Sequence, residues 1–166
     1  MILMLLIPAA RAEAAPIVFD FTVHFIIGPL GGQDFDGTFS VEGDDCPGGV
    51  CNGTFDTVGP NNLLSFDITI DGNAFDIGDD SPFVTLAGGN AVELSINTFG
   101  ALPYLAITWR GPSHNVVIYH PSATGDTTNG EVVSIAQAVP EPATMLLIGV
   151  GLSSLSTRRW RLRRNA

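Results

Sequence analysis

The chain has 166 residues, with 17 acidic and only 7 basic side chains, all of the latter arginine. Five of those arginines crowd into the last nine residues, so the remainder is strongly acidic and repels nucleic acid and anionic lipid. Trimmed of two atypical ends, the chain keeps about 124 residues (15–138), which is one domain with room for a core. This part carries fifteen acids against the single base Arg110, a net charge near −14.

The first element is an apolar run, Met1 to Ala10, followed by Ala12-Glu13-Ala14, a small-x-small pattern. Residues 1–14 therefore read as a secretory signal peptide, with Ala10-Arg11-Ala12 as a second cleavage candidate. The positive n-region of such a signal is missing, as it would be if the signal were degenerate or its start lay upstream. The competing reading is a buried N-terminal strand.

From residue 15 on, the apolar pattern has period two, which puts alternate side chains on opposite faces of a sheet. Phe19, Phe21, Val23 and Phe25 alternate with Asp20, Thr22 and His24. Leu64, Phe66, Ile68 and Ile70 form a second set, Val92, Leu94 and Ile96 a third, and Leu105, Ile107 and Trp109 a fourth. The pattern predicts strands at 17–27, 37–42, 54–58, 63–71, 74–77, 83–87, 91–98, 103–110, 115–120 and 131–137. Gly28-Pro29, Asp36-Gly37, Asn52-Gly53, Asp71-Gly72, Gly88-Gly89, Gly111-Pro112 and Asn129-Gly130 supply turn chemistry between them. No stretch before residue 143 sustains a 3.6-residue period. The expected fold is all-β, an antiparallel β-sandwich or jelly-roll-like domain over residues 15–138.

Cys46 and Cys51 flank Pro-Gly-Gly-Val. In an exported chain so close a pair inside a Gly/Pro turn reads as a structural disulfide. Zinc would need more ligands than this segment holds.

Little in the domain reads as catalytic chemistry. There is no Gly-x-Ser-x-Gly elbow, His-Glu-x-x-His helix or phosphate-binding glycine loop. His24, His114 and His120 lack ligand spacing, and His24 falls on the polar face of its strand. Asp67 and Glu93 would serve as a glycosidase pair only by an accident that fifteen acids make common. The expectation is a protein that is not an enzyme and has no cofactor. Calcium is the one ion with a candidate, since Asp76, Asp79 and Asp80 would supply three oxygens from one glycine-containing loop. The simpler reading of that loop is an acidic solvated turn. Tyr104 and Tyr119 are candidate sugar platforms if their rings face solvent, and Trp109 by alternation belongs to the core.

The tail, 139–166, has three parts. Val139-Pro140-Glu141-Pro142 comes first, because two prolines block a helix from extending further back. Then comes an uncharged stretch from Ala143 to Thr157, 15 residues long, short for a straight membrane span but extensible by snorkelling arginines. Last is Arg158-Arg159-Trp160-Arg161-Leu162-Arg163-Arg164. The arrangement predicts a short transmembrane helix with its arginines on the cytoplasmic side and the β domain on the other.

These three features in this order resemble the PEP-CTERM sorting signal. That resemblance implies recognition by a membrane-embedded exosortase at Pro140, Glu141 and Pro142, with transient anchoring in the membrane before processing. It also implies an exported protein of the cell envelope, surface or extracellular matrix in a Gram-negative bacterium, with a link to exopolysaccharide or biofilm. The resemblance covers about a sixth of the chain and carries a route, not an activity. The exported domain itself is not assigned to a family.

Overall fold

The computed structural model describes residues 14–78, 82–98, 102–123 and 125–138. Ten strands run in chain order: β1 (Ile17–Ile27), β2 (Asp34–Val41), β3 (Gly53–Asp56), β4 (Leu63–Ile70), β5 (Asn73–Asp76), β6 (Phe83–Ala87), β7 (Asn90–Asn97), β8 (Tyr104–Trp109), β9 (Asn115–His120) and β10 (Thr128–Gln137). Two single 3₁₀ turns, Gly43–Asp45 and Pro47–Gly49, lie between β2 and β3. Every strand pair is antiparallel. The all-β expectation therefore holds, and each predicted strand overlaps an observed one.

The layout is a single sheet in the order β3-β6-β7-β8-β9-β10-β1-β2-β4-β5. A sandwich of two separate sheets was expected; here β10, β1 and β2 carry the hydrogen bonding straight through the middle. The sheet buries its apolar face by curling. Asn73 Nδ2 on edge strand β5 donates to the Tyr119 hydroxyl on β9 at 2.8 Å, and Phe75 meets the Tyr119 ring edge-on at 6.2 Å. At the other end Asp56 of β3 bridges Asn62, just ahead of β4. The two halves thus face each other across the core.

Aromatic side chains dominate that core. Phe19, Phe21, Phe25, Phe39, Phe55 and Phe66 are all fully buried. Phe19 stacks on Phe39 at 4.9 Å, and Phe21 stacks on Phe66 at 5.4 Å. Each such ring contributes roughly 1.5–3 kcal/mol by leaving water. Trp109 packs against the cluster from a half-buried position, as alternation predicts.

Period two fails at two positions, for one reason. Leu64 and Val92 were expected to face the core, and both are exposed. The β2–β4 register shifts between Ser40 and Val41, and Leu63 becomes the buried residue. The β6–β7 register shifts between Thr85 and Leu86, leaving Val92 as the extra residue. A β-bulge inserts one residue and turns the side chains beyond it to the other face.

Two of the expected turns lie inside strands. Gly37 pairs with both Phe21 and Ile68, and the Phe21 ring covers it so closely that a Cβ would collide with the ring. Gly130 pairs with Phe25, and a Cβ there would collide with the His24 carbonyl. At these positions glycine lets something approach closely and does not turn the chain. Asp71-Gly72 is a genuine hairpin turn, with φ of 50° and 77°.

Candidate functional site

The distinctive geometry lies at one pole of the domain, where the chain enters and leaves. β1 and β10 are antiparallel neighbours, so the start of one lies beside the end of the other, with Phe19 paired to Gln137. Ala138 N donates to Val18 O at 2.9 Å, extending the pairing one residue past β10. The entering arm is fixed too. Ala14 N donates to Asp44 Oδ1 at 3.0 Å, and Gly43 lies against the Ala15 carbonyl with no room for a side chain.

A disulfide between Cys46 and Cys51 closes the loop that holds this arm, with a Cα–Cα distance of 4.2 Å. Both cysteines are buried. Gly89 N donates to Cys51 O at 3.1 Å and ties the loop to the β6–β7 hairpin. Arm, loop and the end of β10 together line an open pocket of 580 Å³. Removing the cross-link by changing both cysteines to alanine is expected to cost about 2 kcal/mol, from the loop entropy returned to the unfolded chain. Urea midpoints of the two forms, both without reductant, measure it.

The other expected site residues are scattered. Asp76 Oδ1 accepts from Gly78 N at 2.7 Å and so closes its own turn. Asp79 and Asp80 lie outside the described residues, and among the described residues no group of three or more His, Cys, Asp or Glu could hold a metal. The Tyr119 ring does not face solvent: it is 1% exposed, wedged between Phe25 and Phe75. Its place inside follows from alternation with Val117 on β9, a strand short enough for its facing to be misjudged. Tyr104 is half-buried and pairs across β8–β9 with His120.

Burial pushes the Tyr119 hydroxyl above its ordinary pKa, the Asn73 hydrogen bond opposes this, and the charge of Asp71 adds to the rise. The folded phenol therefore stays protonated where the unfolded one ionises, near pH 10. Stability from this group is complete below that pH and is lost as pH rises through the folded value. Tyr119→Phe is expected to lose about 1 kcal/mol at neutral pH with the Asn73 bond, yet to decline less steeply above about pH 10. Denaturant midpoints across that range test it.

Several polar contacts were not legible in the sequence. His24 Nδ1 bonds Asp34 Oδ1 at 2.6 Å across β1–β2. Arg110 Nε donates to Glu93 Oε1 at 2.6 Å. Asn115 Nδ2 donates to Val132 O at 2.8 Å, and Val132 N donates back to Asn115 Oδ1 at 2.7 Å. None of these carries a local motif, because each joins residues brought together only by strand register.

Beyond Ala138 the chain enters the segment holding Pro140, Glu141 and Pro142. These residues, and the expected helix after them, lie outside the described residues. Among the described residues no helix is long and apolar enough to cross a membrane. What leaves the pole is an all-β domain's last strand running into a sorting signal. Residues 138–164 match the PEP-CTERM protein-sorting motif. The motif implies processing by an exosortase-type enzyme, export, and a cell-surface or extracellular destination. No curated protein and no solved structure shows significant similarity to the chain.

Proposed function

We infer that the mature product is a structural or interaction protein of the cell surface or extracellular matrix, with no catalytic role, delivered there by exosortase processing and linked to exopolysaccharide or biofilm. One observation carries the reading. The sorting motif starts at residue 138, which the described β ladder still reaches, so the signal follows directly on this β domain. A signal peptide over residues 1–14 and a transient membrane anchor after Ala143 complete the route. The strong acidity keeps copies apart in solution and favours cations between an acidic domain and acidic polysaccharide.

A carbohydrate-binding module is the weaker reading, because burial of Tyr119 leaves Tyr104 as its only proposed platform. Fractionation of native cells tests the function. The domain is expected in the extracellular or surface fraction, co-extracted with polysaccharide. Release of sugar from that polysaccharide by purified domain would overturn the reading, as would its recovery in the cytoplasm.

A further inference from the structure

The second half of β10 differs from the rest of the sheet interior. β9 pairs with β10 only at Thr128, Asn129 and Gly130. At Val132 the Asn115 side chain stands in for a strand and satisfies both backbone groups. Among the described residues no strand pairs with Val133–Gln137 on the side away from β1. Val133 is 53% exposed, and of the four residues after it only Ile135 is half-buried. Among the described residues, a sheet that is otherwise continuous therefore opens a short edge directly ahead of the sorting motif.

The phase of that edge comes from one bond. Ala138 N donates to Val18 O, so residues 138, 136 and 134 direct their backbone groups at β1. Ile135 and Gln137 direct theirs at the open side. Val139 and Glu141 each precede proline, which biases both toward extended backbone.

We propose that this edge, from Val133 through Ala138, is a docking strand for the exosortase-type enzyme, which adds a strand of its own to it while the domain stays folded. The proposal rests on the processing read from the motif. The occupant is set by continuity, since the enzyme that engages the motif must hold chain within two residues of Ala138. Enzymes that hold peptide extended draw affinity from main-chain hydrogen bonds to an open edge. A second copy is the poorer occupant, because two domains each near −14 repel.

Gln137→Pro removes one open-edge donor and leaves the β1 ladder alone, and Gln137→Ala keeps the donor. Pulse-chase of each in native cells, read by intact mass, is expected to show Gln137→Pro processed roughly tenfold more slowly than Gln137→Ala, which matches the parent chain. A flexible Gly/Ser insertion between Ala138 and Val139 separates edge from motif without touching the fold, and is expected to slow processing as well. Equal rates for Gln137→Pro and Gln137→Ala, or an insertion processed as fast as the parent, would overturn the docking strand and leave the processing intact. A parent chain that is never processed would sink the processing reading itself, and the docking strand with it.

Discussion

Replacing Pro140, Glu141 and Pro142 together with alanine is expected to leave the chain at full length in the membrane fraction. The effect should be near complete, because it removes the three residues expected to be recognised, which lie within the matched motif and outside the described β domain. The described ladder reaches Ala138, so the substitutions lie outside every described hydrogen bond. They also leave the uncharged stretch 143–157 and the five terminal arginines, and with them the expected anchor and its orientation. Intact mass of membrane-extracted protein reads the result. Normal loss of the tail in the triple variant would show that these residues do not direct processing.

Phe39→Ala is expected to destabilise the domain by about 3–5 kcal/mol. Phe39 has no solvent exposure, lies flat against Phe19 at 4.9 Å and meets Phe21 at 6.3 Å. It sits on β2 opposite Phe19 of β1 and Phe66 of β4, so truncation empties the centre of three adjoining strands at once. A domain of this size has roughly 5–15 kcal/mol to lose. The variant should therefore show a much lower urea midpoint and poor recovery outside the cell. A midpoint within about 1 kcal/mol of the parent would mean that the aromatic row does not hold the sheet together.

Strand positions were readable because burial on one sheet face imposes period two, and the Phe19–Phe25 run shows it without interruption. The bulges at Leu64 and Val92 were not readable, since a bulge depends on the register of the partner strand and not on the residues that bulge. Asp36-Gly37 and Asn129-Gly130 look like turns for a related reason. Their glycines accommodate a ring and a carbonyl contributed by β1, far away in sequence. The curl of one sheet, against the expected sandwich, is set by β5 reaching β9, a contact between residues 46 positions apart. The sorting signal was legible because it is a local linear pattern, independent of contacts with distant parts of the chain. The free edge of β10 could not be seen ahead of the structure, because it arises where β9 stops pairing.

Delivery of the β domain by its sorting signal is tested most directly by the intact mass of the protein from native cells, fraction by fraction. The expected species ends near Pro140–Pro142, lies outside the membrane fraction and keeps the Cys46–Cys51 bond. A chain carrying its full C-terminus through Ala166, found only in the membrane, would contradict that delivery.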